Sequence, residues 1–141
     1  MEIIKKLKEC LDENIYRRDN VEEVVQVFKR LEVNASDTVI QFYENFAGPF
    51  WEESTGFGLL DIIDDDPNIE SVTLICREEF SFPNKYLALT ELTTGEIIVL
   101  DSESDKLYKV NFEGGDRALL AGNLKESWAN FDEFLKEYFN V

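Results

Sequence analysis

Two different periodicities divide this chain, and they limit it to a fold in which helices and strands are kept apart. Up to about residue 46 the apolar residues recur at helical spacing. From Lys85 onward they alternate, most cleanly at Tyr108, Val110 and Phe112, with Lys109 and Asn111 between them. A stripe with a period near 3.6 buries one side of a helix, and a period of two buries one face of a strand. Segregated runs of each kind specify an α+β architecture rather than alternating βα units around a parallel sheet. The expected fold is a single domain, residues 1–141, in which an antiparallel meander packs with N-terminal helices and a C-terminal helix. No repeat, linker or low-complexity segment calls for a second unit.

The individual elements follow from local signals. Residues 2–13 carry Ile3, Ile4, Leu7 and Leu11 on one stripe, with Cys10 near it. Asn20 and Glu23 mark the start of a helix over residues 21–31, with Val21, Val24, Val25, Phe28 and Leu31 on its inner face. Ser36 caps a third helix from Asp37 to about Phe46, whose inner face is Val39, Ile40, Tyr43 and Phe46, and Gly48-Pro49 stops it. Residues 48–56 form a breaker-rich loop holding Phe50 and Trp51. Residues 57–63 read as a strand and residues 64–68 as a turn. Over residues 69–79, helical spacing capped by Asn68 competes with the strand propensity of Ser71 to Ile75, and the helix is the preferred reading. Residues 86–93, 96–100 and 107–112 complete one antiparallel sheet with residues 57–63; Thr94-Gly95 is its hairpin signal and Gly114-Gly115 its end. Asn130 and Glu133 cap a last helix over residues 131–139.

Composition removes several functional classes. The chain has no histidine, which excludes hydrolases built on a serine–histidine or cysteine–histidine pair. Cys10 and Cys76 are too far apart in sequence for a zinc knuckle or a redox motif, and are expected to be reduced and unpaired in a cytoplasmic protein. The N-terminal residues are charged and amphipathic rather than leader-like, and no run reaches the roughly 20 apolar residues of a membrane helix.

Charge is distributed unevenly around a net of −16. Residues 1–30 are neutral overall, residues 31–76 hold ten acids and no Lys or Arg, and residues 77–141 are net −6. A middle third without a cation repels nucleic acid and anionic membranes, and it speeds the approach of basic proteins. The candidate partner-binding residues are Trp51, Glu52 and Glu53 with Asp64, Asp65 and Asp66. Tryptophan is a favoured anchor in interfaces, and adjacent carboxylates pair with Arg and Lys. The competing reading is that Trp51 packs beneath its loop while the acids only face water. Three consecutive aspartates followed by Pro67 lack the spaced oxygens of a calcium loop, so no metal is expected. Gly114-Gly115-Asp116 sits in no phosphate-binding pattern, and Trp128 reads as core or edge packing.

Three patches of the chain together resemble the SUKH superfamily of bacterial immunity proteins and fungal regulators of cell-wall synthesis. The first is residues 39–48, a helix ending in Ala47-Gly48. The second is Tyr86-Leu87-Ala88-Leu89 with residues 95–101 and 107–110, a meander in which a strand ending in Asp precedes a turn and an apolar strand. The third is Asn130-Phe131-Asp132-Glu133-Phe134-Leu135 in the closing helix. The likeness covers about residues 36–141. The resemblance implies a non-enzymatic protein that needs no cofactor and no catalytic residue. Its expected ligand is a protein rather than a small molecule, namely a cognate secreted toxin of basic, nuclease type. The fungal relatives imply an alternative role as a regulatory scaffold in cell-envelope signalling.

Overall fold

A computed structural model describes residues 2–92 and 95–141. Its first half is helical: α1 (Glu2–Cys10), α2 (Glu13–Tyr16), α3 (Val21–Leu31) and α4 (Asp37–Asn45). A short hairpin follows, β1 (Phe50–Glu52) and β2 (Phe57–Leu59), and then α5 (Ile69–Phe80). The meander comprises β3 (Tyr86–Ala88), β4 (Glu96–Asp101) and β5 (Leu107–Asn111); α6 (Gly115–Leu120) and α7 (Phe131–Phe139) close the chain. The protein is therefore α+β with antiparallel strands, as the two periodicities require.

Several details differ from the sequence reading. The helix expected over residues 2–13 is two helices, because the Asp12 side chain accepts the Asn14 N–H at 2.9 Å and starts α2 afresh. Cys10 is exposed at the end of α1 rather than near its buried stripe, whereas Cys76 is buried; both are free. On α3 the buried face is Val24, Val27, Phe28 and Leu31, while Val21 and Val25 face out. That face is turned by about one residue from the expected one. On α4 Phe42 joins Val39 and Tyr43 on the buried face, and Ile40 is only partly buried. The ambiguous segment is helix α5, fixed by a reciprocal capping box. The Asn68 side chain accepts the Ser71 N–H at 2.8 Å, and the Ser71 hydroxyl accepts the Asn68 N–H at 3.0 Å. This local pair overrides the strand propensity of the residues behind it. Gly114-Gly115 does end the meander, but it also opens α6. The Asn111 side chain holds that turn by accepting the N–H groups of Glu113 and Gly115.

The sheet expected from residues 57–63 and the meander is in fact two sheets. β1 pairs with β2, Trp51 opposite Gly58, and β3–β4–β5 form the other in simple antiparallel order. The supposed loop at residues 48–56 thus contributes a strand, turned back where the Gly56 and Thr55 amides donate to the Glu52 carbonyl. The strand expected over residues 57–63 stops at Leu59, and its backbone touches the meander through one bond, from the Leu60 N–H to the Leu89 carbonyl at 2.9 Å. The strand expected over residues 86–93 ends at Ala88, with one more bond to β4 from the Leu89 N–H to the Ile98 carbonyl at 2.9 Å. Thr93 and the hairpin signal at Thr94 lie outside the described residues.

The chain leaves the hairpin at Asp61 because that side chain turns inward to Arg18. Both side chains are almost fully buried, 2% and 3% exposed. Arg18 Nη1 donates to Asp61 Oδ2 at 3.1 Å and Nη2 donates to Oδ1. Arg18 also caps the C-terminal end of α4, with Nε on the Tyr43 carbonyl at 2.8 Å and Nη2 on the Phe46 carbonyl at 3.0 Å. A cation there also meets the negative end of the helix dipole. Asp61 Oδ1 accepts the Gly48 N–H at 3.0 Å. The pair therefore joins the segment before α3, the end of α4 and both feet of the hairpin.

Aromatic rings fill the space above this pair. Phe42 lies at 5.2 Å from Phe50, 5.7 Å from Phe131 and 6.1 Å from Phe139, centroid to centroid, so α4, β1 and α7 share one cluster. The Phe50 ring reaches over Gly48 so closely that a Cβ added there would stand 2.8 Å from its edge carbons. Gly48→Ala is expected to destabilise the protein by about 1–3 kcal/mol, the usual range for forcing a packed core apart. Urea unfolding checks this: the midpoint should fall while the slope stays constant.

Candidate functional site

The β1–β2 hairpin is presented rather than buried. Trp51 is 59% exposed, so it is not packed beneath its loop. Its ring lies beside Gly58, where an added Cβ would be 3.5 Å from the indole Cε3. The hairpin is held from behind by α7: the Tyr138 hydroxyl donates to the Phe57 carbonyl at 2.7 Å. Burial, with Glu52 adding its negative field, pushes this phenol up to about 12, so it stays neutral and able to donate at ordinary pH.

Between the hairpin and the meander lies a trough of about 770 Å³. Trp51 and Phe57 form its hairpin wall, and Glu91, Glu96, Ile98 and Lys109 its other side. A further space of about 410 Å³ adjoins it, shares Thr55, Phe57 and Lys109 with it, and reaches Trp128 and Glu137 on the α7 side. Trp128 packs edge-on against Phe134 at 4.8 Å and donates through Nε1 to Glu137. Its edge-packing role is thus as expected, with a wet face added. Lys109 Nζ stands 5.3 Å from the Trp128 ring centroid.

The six residues singled out from sequence divide into two groups. Trp51, Glu52 and Glu53 sit on β1 and the hairpin turn, Glu52 half-buried and Glu53 exposed. Asp64, Asp65 and Asp66 are all exposed beyond Asp61, past the foot of the hairpin. Among the described residues no hydrogen bond or ion pair joins the groups, and the trough is lined by Trp51 but not by the aspartates. The ten acids of residues 31–76 are also not all free. Asp61 is neutralised by Arg18, and Glu70 is gripped by Arg30 at 2.8 and 2.9 Å. The hydrogen bond to Arg30 holds the Glu70 carboxyl below its usual range. Lys109, Phe57, Glu91 and Glu96 were not singled out from sequence. Alternation had placed Lys109 on the side of β5 away from Tyr108 and Val110, but nothing local links it to a hairpin some fifty positions earlier. Among the described residues no cluster of three or more Cys, Asp or Glu side chains is placed to hold a metal ion, and no helix is long and apolar enough to cross a membrane.

Tyr138→Phe removes the one side-chain donor that pins the Phe57 carbonyl and leaves that acceptor half-buried. A loss of about 1–2 kcal/mol is expected, concentrated in the hairpin. Hydrogen exchange checks this: amides of β1 and β2 should exchange faster, with those of β4 little changed.

No curated protein sequence matches the chain. The family model of the SMI1 / KNR4 family (SUKH-1) matches residues 20–137, which takes in the Arg18-capped helix α4, the hairpin, the meander and most of α7. By that match over most of its length, the chain belongs to the SMI1 / KNR4 family (SUKH-1) of the SUKH superfamily.

Proposed function

We propose that this protein is a cytoplasmic, non-enzymatic immunity protein that binds a cognate secreted bacterial toxin and occludes it. The observation that carries the reading is Trp51: a large aromatic, mostly exposed, held on a pinned hairpin at the lip of a trough in a protein of net charge −16. Exposed tryptophans on rigid supports are frequent anchors in protein interfaces, and a strongly acidic surface selects a basic partner. A toxin that acts on nucleic acid is itself basic, because it must grip phosphate. Membership of the SUKH superfamily supports a protein-binding role.

The two groups of candidate residues then have separate tasks. Trp51, with Glu52 and Glu53 beside it, forms the contact. Asp64, Asp65 and Asp66 lie away from the trough and act over distance, drawing the toxin in before contact. Steering of this kind needs no shared pocket, only an unscreened field, and it fades beyond about 8 Å at physiological ionic strength.

The tests use a purified cognate toxin domain, sought among the genes beside this one. Replacing Asp64, Asp65 and Asp66 together with Asn should slow association clearly in low salt, and the slowing should shrink as salt rises. Stability should barely move, because these carboxylates are exposed and have no ion-pair partner among the described residues. Trp51→Ala should leave association nearly unchanged and cost about 2 kcal/mol or more through faster dissociation. Stopped-flow association and surface-immobilised dissociation measurements separate the two. Capture of the toxin by the triple variant at the wild-type rate in low salt would show that the aspartates are only a solvated surface.

A further inference from the structure

The trough exists because two extended segments part company. Its closed end is the Leu60–Leu89 backbone bond. One residue later Thr90 has left the ladder, and its hydroxyl, not a backbone carbonyl, accepts the Ile98 N–H at 3.0 Å. Residues 56–60 and Thr90–Glu91 therefore diverge, with Ile98 and its register partner Lys109 between them. A space bounded by extended backbone suits an extended chain, which can lay side chains alternately on its two walls.

The charges along this space are divided. Among its described lining residues Lys109 is the one base, and its ammonium is already engaged over Trp128 in the adjoining space. The trough is lined by Trp51 on its hairpin wall and by the exposed carboxylates Glu91 and Glu96 on its other side. The Trp51 ring lies beside Gly58 and is mostly exposed. Of the two tryptophans, Trp128 in the adjoining space thus has a cation of the chain over its ring, and among the described residues none stands over Trp51.

We infer that the trough receives an arginine of an extended segment of the partner, its guanidinium stacked on Trp51 and paired with Glu91 or Glu96. Arginine fits better than lysine because a planar guanidinium stacks on an indole and offers parallel donors to a carboxylate, and it gives up water more readily. This inference rests on the reading of the chain as a toxin-binding protein and names the chemistry that its aromatic anchor recognises.

The probe is a short peptide of alternating arginine and valine, titrated into the full chain while the Trp51 indole N–H is followed by NMR. Two companion peptides carry lysine or citrulline in place of arginine; citrulline keeps the shape and removes the charge. The arginine peptide should shift the Trp51 signal and bind a few-fold more tightly than the lysine peptide. Citrulline should weaken binding by about ten-fold. Trp51→Ala, which leaves the net charge untouched, should weaken the arginine peptide by a similar factor, and Glu91→Gln with Glu96→Gln should do so in low salt. Equal binding of the citrulline peptide, or arginine binding indifferent to Trp51→Ala, would overturn the assignment and reduce the effect to general attraction by an acidic surface. The same cognate toxin domain separates the two levels. If it binds the wild type and the trough variants equally, the trough assignment falls while the immunity reading stands. If it does not bind at all while the arginine peptide still seats on Trp51, the immunity reading falls and the trough keeps its chemistry.

Discussion

One buried ion pair, Arg18 with Asp61, sets the geometry on which the rest of this structure depends. A guanidinium taken out of water is tolerable only when each donor finds an acceptor. Here all five do: Nε on the Tyr43 carbonyl, Nη1 on Asp61 and on the Asn20 side chain, and Nη2 on Asp61 and the Phe46 carbonyl. Asp61 in turn accepts the Gly48 and Ile63 N–H groups. The cost of desolvation is thus offset by a network without gaps. The same completeness fixes the positions of three separate stretches of chain. Apolar packing supplies most of the folding free energy, but it is non-directional. The pair supplies the direction.

That direction matters at the hairpin. Gly48 precedes β1 and Asp61 follows β2, so the network clamps the two feet of the hairpin together. Phe50 roots β1 in the aromatic cluster, and Tyr138 pins β2 from behind. The outcome is a short, two-stranded element that would be marginal alone but is held rigidly enough to keep a large aromatic exposed. In the contact proposed for Trp51, a ring fixed in this way would have little freedom left to lose, which favours slow dissociation. The acidic middle of the chain works on a different scale. After Arg18 and Arg30 have claimed Asp61 and Glu70, the aspartates at residues 64–66 still project a field over a surface that the hairpin does not occupy.

What could be read from the sequence follows the range of each interaction. Fold class, the closing helix and the capped start of α5 rest on contacts within four residues, and period or capping shows them directly. Trp51 could be nominated because tryptophan in a breaker-rich loop is conspicuous. The hairpin around it could not, since three residues such as Phe50-Trp51-Glu52 are too few to show a period. Arg18 gave no local sign: it stands between two helices in a charged stretch, and apart from Asn20 its partners lie 25 to 43 positions away. Asp61 was counted among ten acids as part of a negative surface, although it is buried and neutralised. The trough was hidden for the same reason, because it is formed by β1, β2 and the meander, which only the tertiary fold brings together.

The account stands on the claim that Arg18 and Asp61 act as a unit, and a double-mutant cycle on equilibrium urea unfolding tests it most directly. Arg18→Met and Asp61→Asn should each cost about 3–5 kcal/mol, because each leaves the other's charge buried without its partner. The double variant should cost clearly less than the two single losses combined, with a coupling of about 2 kcal/mol or more. Losses that add to within about 0.5 kcal/mol would contradict the account, since the two residues would then be stabilising the fold independently.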